Sequence, residues 1–133
     1  MDVKRAYFNA KVDPDNPPAP VELPQEDANY GATCAKLLRH MHGTRGAADG
    51  WQEEYSTTLL AMGFSQGLSS PCLFAPHERS VFVTVHGDDF TVPGCDVHLD
   101  FFQAGIKAEF DVKVRGRLGS GKRDDKCMRI LNR

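Results

Sequence analysis

Gly87-Asp88-Asp89 sets two carboxylates side by side between the apolar runs at 81–85 and 90–92. Two neighbouring anions cannot both lose their water without a cation between them, and a divalent metal is one solution. Gly and Asp are also the commonest turn residues for conformational reasons alone, so taken by themselves these residues leave turn and metal site both open. Asp2 adds a third carboxylate on a separate segment, followed by the aromatic pair Tyr7 and Phe8. On a regular strand residues 2 and 8 share a face and Tyr7 takes the other, unless the chain bends. Far along the chain, residues 113–133 carry eight basic side chains, Lys113, Arg115, Arg117, Lys122 and Arg123 among them, against Asp124 and Asp125. These charges read first as a solvated surface; if there is a polyanion partner, it is expected to meet this segment.

Two further patterns carry less. Gly116-x-x-x-x-Gly121-Lys122 follows a phosphate-binding loop until Arg123 stands where Ser or Thr must meet the metal. Cys34, His40 and His42 fit no common zinc spacing, and Cys72 with His77 adds nothing regular. The four cysteines lie 38, 23 and 32 residues apart with no C-x-x-C pair, so free thiols are expected.

The elements that must position these groups are legible from spacing. Residues 2–9 are expected as a short strand with an unpaired edge that invites association. Five of the eight prolines fall within 13–24, and 13–30 carries Asp13, Asp15, Glu22, Glu26 and Asp27 with no Lys or Arg, which makes this an exposed Pro-rich acidic loop. Residues 34–41 form a short apolar-basic stretch. Asp49 with Gln52 resembles a capping box, and Trp51, Tyr55, Thr58, Leu59 and Met62 fall at helical spacing before Gly63, which predicts a helix over 50–62 with a core-facing stripe. Strands follow at 72–75, 81–85 and 90–92, the last two as a hairpin through His86-Gly87-Asp88-Asp89. Leu99, Phe102, Ile106 and Phe110 predict a second helix over 97–110. Val112 and Val114 open another strand, glycines at 116, 119 and 121 turn it, and Met128, Ile130 and Leu131 alternate weakly. The order β-α-β-β-α-β predicts an α+β fold, an antiparallel sheet with helices on one face.

Size and composition bound the reading. A chain of 133 residues is one domain, or part of one, and 41% hydrophobic with 26% charged residues is ordinary for a folded protein. The net charge of −2 argues against a dedicated nucleic-acid coat. No apolar run approaches the roughly 18 residues of a membrane helix. No apolar segment follows the first charged residues as in a secretory signal, so an intracellular, reducing location of unassigned compartment is expected.

Four blocks in order give the chain a family likeness. They are Asp2-Val-Lys-Arg-Ala-Tyr-Phe-Asn9; Lys36-Leu-Leu with Met41-His-Gly-Thr-Arg45 and Trp51; Gly63-Phe64 with Ser70-Pro-Cys-Leu-Phe74; and Val85-His-Gly-Asp-Asp-Phe90. Together they resemble the palm of copia-type retrotransposon reverse transcriptases over almost the whole chain, which would make 1–133 a single partial domain of palm-like β-α-β-β-α-β build. The resemblance implies RNA-directed DNA synthesis by two-metal nucleotidyl transfer, with Asp2 and Asp88 holding Mg²⁺, or Mn²⁺ in its place, and Asp89 supporting them. It implies that Tyr7 lies under the incoming sugar and selects deoxynucleotides. Primer-template and dNTP are the implied partners, with Lys113, Arg115, Arg117, Lys122 and Arg123 as nucleic-acid contacts. The chain departs from the family at His86-Gly87, where Tyr-x is usual, and at Gly46, where a glutamine is usual. With fingers and thumb outside it, the isolated chain is expected to be inactive. The alternative is a noncatalytic structural or interaction subunit of a larger assembly, derived from such an element.

Overall fold

The computed structural model describes residues 1–13, 15, 20–76, 80–122 and 124–129. Six strands make one sheet: β1 (Asp2–Val3), β4 (Phe64–Gln66), β5 (Leu73–Pro76), β6 (Val83–His86), β7 (Asp89–Thr91) and β8 (Val112–Lys113). Their spatial order is β4-β5-β6-β7-β1-β8 and every neighbouring pair is antiparallel. β2 (Val21–Glu22) and β3 (Cys34–Ala35) pair separately, so a short strand pair interrupts what the prolines predict as continuous loop. Two helices complete the α+β fold, α1 (Ala47–Ala61) and α2 (Asp96–Glu109).

Both helices cover the same face. The buried ring of Phe90 on β7 meets Trp51 and Tyr55 of α1 edge-on at 6.4 and 6.0 Å and the tilted ring of Phe102 of α2 at 6.3 Å. Around it gather Leu59, Val3, Val83, Val85 and Ile106. Aromatic pairs in this geometry add to the burial term, to which the helical stripes and the inward residues of the strands both contribute.

Three expectations are corrected. The first strand is two residues long, because Arg5 takes the left-handed conformation at φ 53° and turns the chain into a 3-10 turn at Ala6–Phe8. That strand is interior, paired with β7 on one side and β8 on the other, so the sheet edges are β4 and β8 and the predicted unpaired ladder at residues 2–9 does not exist. Helix α1 starts at Ala47, three residues before the predicted start at 50: Gly46, at φ 80°, lets the chain enter the helix at buried Ala47, and Asp49 lies in the first turn. Of the weakly alternating segment 128–131, Ile130 and Leu131 lie outside the described residues. No helix among the described residues is long and apolar enough to cross a membrane.

Candidate functional site

Strand alternation decides what the open face carries. On β7 the ring of Phe90 is buried against the helices, so its neighbour Asp89 turns outward; on β1 burial of Val3 does the same for Asp2. Pairing then aligns them: His86 is opposite Asp89, Asp89 opposite Asp2, and Asp2 opposite Lys113, a row across β6, β7, β1 and β8. Asp2 and Asp89 form a non-hydrogen-bonded pair. The bonds on either side belong to Phe90 N–H donating to Met1 O at 2.8 Å and Val3 N–H donating to Asp88 O at 2.9 Å. In such a pair the side chains stand closest, and two like charges there are destabilising unless neutralised.

Arg115 neutralises them. Its Nη2 donates to Asp2 Oδ2 at 2.7 Å and lies 3.4 Å from Asp89 Oδ1. The hydrogen bond to Asp2, then the field of Asp89, raises the guanidinium pKa above its ordinary value. The structure thus brings Asp2 together with Asp89, whereas Asp88 sits exposed in the turn and reaches Arg115 only through its field. Gly87, at φ 60°, and Asp88, which does not share that sign, make the two-residue link between His86 and Asp89, the pattern of a type II′ hairpin. The indole N–H of Trp51 donates to Gly87 O at 2.7 Å, so α1 fixes the tip.

The other predicted residues are dispersed. Past the bend at Arg5, Tyr7 is half-buried and packs edge-on against His42, with ring centroids 4.4 Å apart. Arg117 is committed to Asp96 at 3.1 Å and Asp100 at 2.6 Å, which ties the segment after β8 to α2. Lys113 and Lys122 are exposed and make no ion pair among the described residues, and Arg123 lies outside them. A cavity of about 430 Å³ opens beside the carboxylates, lined by Asp89, Arg115, Leu99, Val114 and Met128 among others.

Two functional partners escape sequence reasoning. Nothing local marks Arg115 as the counter-ion of a carboxylate 113 residues away. Trp51 carries a signal, since a buried indole N–H needs an acceptor, but spacing alone assigns it to packing. Comparison of the chain with protein-family models, curated proteins and solved structures gives no match.

Whether the residues suit Mg²⁺ turns on the donor set. Among the described residues no group of three or more His, Cys, Asp or Glu side chains is placed to hold a metal ion. Two carboxylates do converge on one point that a cation already holds, the Arg115 guanidinium. Mg²⁺ takes oxygen donors, and where it serves a nucleotide one or two carboxylates suffice beside the phosphates; Asp2 and Asp89 are two donors of that kind.

Proposed function

We propose that the chain is a palm module of nucleotidyl transfer, of the copia-type reverse transcriptase kind, in which Asp2 and Asp89 hold Mg²⁺ with Asp88 beside them. The observation that carries the reading is the in-register, outward-facing Asp2–Asp89 pair beside the Asp88 turn. These two carboxylates reach one cationic point from adjacent strands that are distant in sequence, as a two-strand metal site requires. When bound, the ion supplies Lewis-acid stabilisation of charge on a transferring phosphoryl group. The chain's own contributions are positional. The sheet fixes Asp2 and Asp89, Trp51 fixes the turn that carries Asp88, and Lys113, in register with Asp2, offers a positive point for a backbone phosphate at the side of the site.

A second reading is favoured by one observation, the Arg115 ion pairs, which satisfy the carboxylates without metal. It is a noncatalytic subunit of a larger assembly that keeps the ancestral strand pairing. Mn²⁺ separates the two. The palm reading expects a saturable rise in melting temperature, worth about 2.7 kcal/mol at a hundredfold excess over Kd, that Asp2→Asn removes. A flat response in the parent protein and in Arg115→Gln alike rejects it in favour of the noncatalytic subunit.

A further inference from the structure

We propose that Arg115 is a built-in placeholder for the metal: its guanidinium and a divalent cation compete for the same oxygens of Asp2 and Asp89. The proposal rests on the palm reading for the identity of the competitor. One nitrogen, Nη2, serves both carboxylates, at 2.7 and 3.4 Å, so it occupies the point that the two share. A guanidinium and a divalent ion cannot both hold that position, since two cations at one pair of oxygens repel and contend for the same lone pairs.

The exchange is mechanically simple. Arg115 lies beyond Val112–Lys113, the last sheet residues of its segment, and its side chain is 45% exposed, so it can leave toward water without unfolding anything. Solvent-facing pairs of this kind are weak enough to be replaced. Two residues on, Arg117 is held by both Asp96 and Asp100 of α2, which anchors the segment while the Arg115 side chain moves. Arg115 therefore has two consequences. It keeps two opposed carboxylates quiet in the metal-free protein, and it sets a threshold that the metal concentration must exceed.

The test uses the full chain with Mn²⁺ as the probe, read by the electron paramagnetic resonance of free Mn²⁺ and by melting temperature. Arg115→Gln is expected to bind Mn²⁺ about tenfold more tightly than the parent, the scale of a neighbouring unit charge on a carboxylate equilibrium. Without metal its melting temperature is expected below the parent's, and Asp89→Asn in the same chain to restore it. Arg115→Lys, which keeps the charge on a compact head, is expected to fall between parent and Arg115→Gln, and it answers the question if Arg115→Gln does not fold. Binding by Arg115→Gln with none in the parent supports the placeholder outright. Equal Mn²⁺ affinity in parent and variant overturns the competition and leaves the palm reading standing. No binding in any of the proteins overturns both.

Discussion

The indole Nε1–H of Trp51 donates a 2.7 Å hydrogen bond to the carbonyl oxygen of Gly87, linking the core helix to the hairpin tip that bears the aspartates. Trp51 itself is buried, with rings of Tyr55, Phe90 and Phe110 around it. Trp51→Phe keeps most of the ring and deletes the donor, leaving the Gly87 carbonyl to find water. A loss of about 1–3 kcal/mol is expected, measured as a shift of the urea midpoint. An unchanged midpoint would mean that the bond only orients the tip.

Gly87 itself tests the turn. Its φ of 60° is a conformation that costs a side-chain-bearing residue roughly 1–2 kcal/mol, and nothing lies within 4 Å of where a Cβ would stand. Gly87→Ala should therefore lose stability through backbone strain alone. Chemical denaturation checks the amount, and a loss well beyond that range would point to a contact the open space does not provide.

The register ranks the aspartates. Asp89, opposite Asp2, is expected to matter more for the Mn²⁺-induced rise in melting temperature than Asp88, which sits exposed in the turn. Asp2→Asn and Asp89→Asn should each abolish the response, and Asp88→Asn should reduce it. The reverse order would place the ion at the tip instead of between the strands.

Tyr55 supplies a pH prediction. Burial in the core, reinforced by the neighbouring Cys72 thiol, pushes its pKa from the ordinary 10 up to about 12. The folded state therefore keeps the phenol protonated where the unfolded chain would ionise it. The stabilisation is complete below pH 10 and is lost as pH rises from about 10 to 12. Denaturant midpoints followed across that interval should fall, and Tyr55→Phe should flatten this part of the decline.

Basic residues divide by whether their charge is already spent. Arg117 faces Asp96 and Asp100, while Lys113 has no ion partner among the described residues. If the chain binds primer-template, Lys113→Ala should lower the salt slope of binding by roughly one, and Arg117→Ala should leave it nearly unchanged. Fluorescence anisotropy across a salt series measures both. Equal slopes in all three proteins would locate phosphate contact elsewhere.

Local spacing was enough to reveal the two helices, the hairpin between 81–85 and 90–92, and the residues that bury. Leu59 and Phe102 repeat at helical intervals, and Val83, Val85 and Phe90 alternate with outward residues, because periodicity is a property of neighbouring positions. The helix start at Gly46 and the end of β1 at Val3 were not legible, since both follow from left-handed backbone at Gly46 and Arg5 rather than from any apolar pattern. The sequence placed three aspartates in plausible company but could not say which two meet. That was decided by the pairing of β1 with β7, segments 87 residues apart at Asp2 and Asp89, where a slip of one residue exchanges Asp89 for Asp88 and reverses every face. The Arg115 bridge belongs to the same class. It exists because β8 lies beside β1, and only the folded sheet brings residue 115 to residue 2.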